Sequence, residues 1–133
     1  MCCNANDPDG RVHRSSPMRI LLFLLLTALA SPAMAEDYAR VTDRGAFVNL
    51  VQGKSLTSLG VRLTVSPSGS IGGRAFGRDL SGTWTWNNGY FCRTMQAGDR
   101  VFPRNCQLVR QKGDRLRFIA DKGTGQTADL RIR

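Results

Sequence analysis

Arg115, Arg117, Arg131 and Arg133, with Arg62 upstream, are the residues of this 133-residue chain whose types and spacing could do chemistry. A guanidinium stays charged at physiological pH and offers a planar fork of donors that fits phosphate or carboxylate. Alternate residues of a strand share one face. Arg115 with Arg117, and Arg131 with Arg133, therefore point the same way if their segments are extended. The chemistry is anion binding, and two registers bear on it. In a hairpin centred on Thr124, Phe118 faces Leu130 and Arg117 faces Arg131, a like-charge pair that a bound anion would relieve. A register shifted by two residues sets Arg117 against Asp129, an ordinary surface pair.

Trp84, Trp86 and Tyr90 form a second candidate group. Tryptophans at i and i+2 on a strand are either the inward face of a small β core or, if outward, a platform for stacking on a sugar or a partner. Cys92 and Cys106 suit a disulfide; a redox or metal-binding pair is poorly supported, because the spacing is not C-x-x-C. The sole histidine, His13, precedes the working domain proposed below, which removes Ser-His-Asp and Cys-His systems and the usual zinc sets. Asp79, Asp99, Asp114, Asp121 and Asp129 fall mostly in turns, where Asp serves backbone hydrogen bonding. No catalytic residue, cofactor or metal site is expected, and no glycine-rich loop joins a strand to a helix to hold a nucleotide.

The elements that must position these residues follow from periodicity. Asp43 caps a short helix in which Phe47, Leu50 and Val51 share a stripe, and Gly53 ends it. From Lys54 onward the apolar period is two. Strands are expected at Val61–Val65, Ile71–Gly77, Gly82–Trp86, Tyr90–Met95, Cys106–Arg110, Leu116–Ala120 and Leu130–Ile132. The turns between them are Pro67–Ser70, Asn87–Gly89, Lys112–Asp114 and Asp121–Gly125, and residues 96–105 read as a polar loop inside the Cys92–Cys106 bridge. The glycines at 72, 73 and 77 suggest a bulge or a close approach of another backbone. The fold class is all-β: an antiparallel meander of about seven strands, forming a curled sheet or small barrel with a short N-terminal helix.

Ahead of this domain, Arg19 to Ala35 has the parts of a secretory signal: a basic residue, an apolar run from Ile20 to Ala30, Pro32 and the ending Ala33-Met34-Ala35. The run is too short to cross a bilayer, so no transmembrane segment is expected. The expected organisation is a mis-assigned start or disordered extension over 1–17, with Met18 as the true initiator, a signal peptide over 18–35 and one small β domain over 36–133. Cys2, Cys3 and His13 then fall outside the working protein, which is periplasmic or secreted and able to keep a disulfide. Residues 36–133 hold three lysines and thirteen arginines against eight acidic residues, a net charge of +8. Such a balance either keeps a protein monodisperse or draws it to an anionic surface such as lipid headgroups, envelope polymers or an acidic protein. Nucleic acid is not expected as a partner, since export removes the chain from most of it and no recognition helix or zinc-finger spacing appears.

The run Gly82-Thr-Trp-Thr-Trp-Asn-Asn-Gly-Tyr-Phe-Cys-Arg93, with Gln52-Gly-Lys-Ser-Leu-Thr57 before it and Asn105-Cys106-Gln107 after it, is similar to a family of small exported proteins of alphaproteobacteria. The resemblance covers nearly all of the domain. Some members carry the name dihydrodipicolinate reductase, which implies nicotinamide-dependent reduction; this chain lacks the Rossmann fingerprint and the length for the two domains that activity requires. In architecture the chain also resembles the small β-barrel inhibitors that bacteria keep in the periplasm against proteases or lysozyme. Three readings follow: a non-enzymatic binding module with an arginine-rich face for an anionic envelope component or protein, an inhibitor using residues 96–105 as its inserting segment, and an enzyme of unrecognised type.

Overall fold

The computed structural model describes residues 37–133. The extension over 1–17, the signal over 18–35, and Cys2, Cys3 and His13 with them, lie outside the described residues. A two-residue strand β1 (Ala39–Arg40) leads into helix α1 (Arg44–Val51). The Asp43 carboxylate accepts from the Ala46 N–H at 2.8 Å, satisfying one orphan donor of the first turn. Phe47 and Val51, a turn apart, are its buried residues.

Eight further strands follow: β2 (Leu56–Ser58), β3 (Val61–Val65), β4 (Ser70–Ala75), β5 (Arg78–Asn87), β6 (Tyr90–Ala97), β7 (Arg100–Lys112), β8 (Arg115–Ile119) and β9 (Thr127–Ile132), with a short helical segment α2 (Ala120–Gly123) between the last two. Each pairs antiparallel with the next, and β9 pairs back onto β2, so these eight close into an up-and-down barrel. β1 is an extra strand on the upper half of β7. The seven expected strands are all present. The two others, β1 and β2, are too short to show a period of two.

The barrel's inward face forms one apolar core from Leu56, Val65, Ile71, Leu80, Trp84, Phe91, Val109, Leu116 and Phe118. α1 stoppers one end of it. Phe47 is 0% exposed, and its ring centroid lies 5.0 Å from Phe91, 5.3 Å from Trp86, 5.4 Å from Trp84 and 6.3 Å from Phe118. A helix of two turns has little stability of its own; this aromatic cluster holds it. The expected close approach is at Gly73, where φ is +141° and an added Cβ would lie 2.0 Å from the Arg62 carbonyl oxygen.

Residues 96–105 are not a loop. β6 runs on to Ala97, Gly98-Asp99 turns the chain, and Ala97 pairs with Arg100. Pro103 sits at a bulge between the Arg93 and Met95 pairings, where its missing N–H breaks no ladder bond. Cys92 and Cys106 face each other across β6 and β7 and form the expected disulfide.

Candidate functional site

Register decides which cations meet. The β8–β9 hairpin centres on Gly123, one residue earlier than Thr124, so Arg117 faces Asp129 and Arg115 faces Arg131, while Leu116 faces Leu130 and Phe118 faces Ala128. The turn chemistry explains the shift. Asp121 and Lys122 take left-handed φ values of 52° and 56°, Ala120 N–H donates to Gln126 O at 2.9 Å, and Gly125 N–H donates to Ala120 O at 2.8 Å. The Asn105 side chain fixes that turn from the neighbouring strand, donating to Asp121 Oδ1 at 2.7 Å and accepting from its backbone N–H at 3.0 Å.

The Arg115–Arg131 pair is one segment of a longer outward row. Lys112 faces Arg115, Arg131 faces Thr57, Thr57 faces Arg62, Arg62 faces Arg74, and Arg74 faces Asp79. Barrel strands tilt to the axis, so a row perpendicular to them climbs obliquely. It starts at Lys112 and Arg115, beside the β7–β8 turn. It finishes at Arg62 and Arg74, two residues from the turns at the opposite end. A second row sets Arg40 against Arg110 and Arg110 against Arg117, and ends on Asp129. Five cation pairs are thus directly opposed: Arg40–Arg110, Arg110–Arg117, Lys112–Arg115, Arg115–Arg131 and Arg62–Arg74.

Carboxylates compensate only in part. Arg117 Nε and Nη2 each donate to Asp129 at 2.8 Å, a bidentate pair. These bonds hold the Asp129 carboxyl below the usual range and the Arg117 guanidinium above its own. Asp114 meets Arg131 at 3.2 Å, and Asp79 lies 3.9 Å from Arg74. Asp43 caps α1 and Asp121 is tied to Asn105. Arg133 is exposed beyond β9 and exchanges backbone hydrogen bonds with Ser55. A shallow groove at that end, lined by Leu50, Lys54, Gln111, Gly113, Asp114, Ile132 and Arg133, carries one carboxylate side chain. Among the described residues no three His, Cys, Asp or Glu side chains gather as metal ligands would.

The aromatic candidates separate. Trp84 is 3% exposed, and its indole N–H donates to Ser66 O at 2.8 Å, so it belongs to the core and cannot serve as a stacking platform. Trp86 is half-buried and stacked on Phe47. Tyr90 is half-buried on the outer parity, with the Arg40 guanidinium 5.1 Å and the Lys122 ammonium 5.7 Å from its ring centroid. Its π face already serves the protein's own cations.

Sequence reasoning missed Arg74, Arg110 and Arg93. Centring the β3–β4 hairpin on Ser68 would have set Arg74 opposite Arg62. Arg93 shares the parity of Phe91 and Met95 and pairs with Trp84, so it points toward the interior. Its Nη1 donates to Pro103 O at 3.0 Å, its buried Nε has no partner, and burial lowers its pKa. No family model, curated protein or solved structure matches the chain.

Proposed function

We propose that residues 36–133 act as a non-enzymatic, exported binding module whose oblique arginine band meets an anionic component of the cell envelope or an acidic protein surface. The observation that carries this reading is the set of five opposed cation pairs. Like charges placed directly opposite on a sheet cost a few tenths of a kcal/mol or more each. A bound polyanion turns that repulsion into attraction, and the planar guanidinium forks suit phosphate or carboxylate groups. Export is supported by the Arg19–Ala35 segment and by the Cys92–Cys106 bridge, which an oxidising compartment preserves. Among the described residues no helix is long and apolar enough to cross a membrane.

The non-enzymatic part of this reading draws on four of the seven described aspartates, which are held in structural roles. Asp43, Asp114, Asp121 and Asp129 are each engaged with a backbone N–H, an amide or a guanidinium. The test is a salt titration of binding to anionic vesicles and to an immobilised sulfated polysaccharide. Screening shortens from about 10 Å at 0.1 M salt to about 3 Å at 1 M. Affinity should therefore fall about tenfold or more across that range. An affinity indifferent to salt would overturn the reading.

A further inference from the structure

Three large hydrophobic side chains stand exposed among the described residues: Leu59 at 93%, Phe76 at 75% and Val101 at 63%. All three lie at the barrel end opposite α1. Leu59 is in the β2–β3 turn, Phe76 in the β4–β5 turn, and Val101 just past the β6–β7 turn. These turns are neighbours. Phe76 N–H donates to Gly60 O at 2.7 Å, and the Phe76 ring covers Gly60, where an added Cβ would lie 2.8 Å from its Cδ1. At the next turn an added Cβ on Gly98 would lie 2.8 Å from Arg78 Cδ.

Two features separate this end from ordinary turn surface. Phe76 adopts φ +50°, a left-handed conformation that bulky residues rarely take and that Gly or Asn would fill at lower cost. The strain goes with an aromatic ring left in water. The apolar tips also sit among cations. Arg62 and Arg74 project outward two residues from the tips, Arg78 and Arg100 flank the turns, and these four outnumber Asp79 and Asp99.

We infer that this end of the barrel docks on an anionic lipid bilayer, with Leu59 and Phe76 entering the boundary between headgroups and acyl chains while the surrounding arginines lie at headgroup phosphates. The inference rests on the anion-binding reading and commits its partner to a membrane surface. Apolar fingertips ringed by basic residues are what interfacial binding uses: modest buried area plus attraction to anionic headgroups. A second copy of the chain fits less well. Projecting side chains on separate turns do not make the flat patch of about 800 Å² per partner that a stable interface needs, and two arginine rings would repel each other.

The experiment compares residues 36–133 with the double variant Leu59→Ser/Phe76→Asn. Both positions are exposed, and Asn tolerates the Phe76 backbone, so the variant should fold. Partition is measured onto vesicles of zwitterionic lipid with a phosphatidylglycerol fraction, and elution salt is measured on a heparin column. Vesicle partition should fall about tenfold or more: a tenfold fall is about 1.4 kcal/mol, which the loss of two inserted apolar side chains readily supplies. Elution from heparin should stay that of the wild type. Equal vesicle partition by variant and wild type, or wild-type binding to heparin without binding to vesicles, overturns the inference and leaves the anion reading standing. A wild-type dimer that the variant converts to monomer in sedimentation also overturns it, by giving the tips to a second copy. Binding to neither probe overturns both.

Discussion

Asp129 shows how one residue pair resists the general repulsion of the outer face. It accepts from both Nε and Nη2 of Arg117, the residue that stands opposite Arg110. Its carboxyl is held below the ordinary value, so the stabilising contribution is fully present above the unfolded carboxyl pKa, about 3.9. It is lost as pH falls through the lower folded value. The pair is about a third exposed on each side, which limits it to the scale of surface bridges. Asp129→Asn should therefore lower stability by about 1 kcal/mol or less at neutral pH. The difference should fade as pH drops below about 4, as urea denaturation of both proteins at neutral and acid pH would show. Arg93 is the opposite case: a cation turned inward beside Trp84, with no carboxylate bonded to it and one nitrogen unsatisfied. Burial disfavours its charge and lowers its pKa.

At the scale of elements, α1 and the strand hairpins were legible because their signals are local. Asp43 three residues ahead of Ala46, the Phe47/Val51 stripe and the Asn88-Gly89 turn each act within a few residues. The pairing partners were not legible to the same degree. Whether Arg117 meets Arg131 or Asp129 depends on two non-glycine residues taking left-handed φ, which Asn105 from another strand helps fix. Residues 96–105 read as polar loop because Pro103 and Gly98 interrupt the alternation, yet a two-residue turn and a bulge accommodate both within a hairpin. Leu56–Ser58 is invisible alone and is defined by β3 and β9 on either side. The glycines of the Ile71–Gly77 strand were legible as a mark of close approach, whereas which of them meets another backbone was not, and the one that does makes a sharp prediction. Gly73→Ala puts a methyl into the Arg62 carbonyl at a φ that L residues avoid, and it should cost about 3 kcal/mol or more. Thermal unfolding of this variant beside Gly77→Ala would check that the loss is specific, because a Cβ on Gly77 meets nothing within 4 Å while sharing a positive φ.

For the whole molecule, the disulfide and the closed barrel address the same weakness. A domain of this size has one small core and carries a large excess of like charge on its exterior. The Cys92–Cys106 bridge closes a loop of 14-residue separation. Replacing both cysteines with serine should lower stability by about 3 kcal/mol on the chain-entropy account, read as a shifted urea midpoint with the far-ultraviolet β signature retained below it. Barrel closure adds a condition on timing. The seam is made by Leu56 with Ile132 and Thr57 with Arg131, partners drawn from the first and last strands of the barrel. Until the final strand arrives, β2 and β8 each have an unpaired edge, and the inward face lies open. The cylinder therefore cannot be sealed by any part of the domain that lacks β9, so the last barrel strand to leave the ribosome is also the one that shuts the inward face away from water.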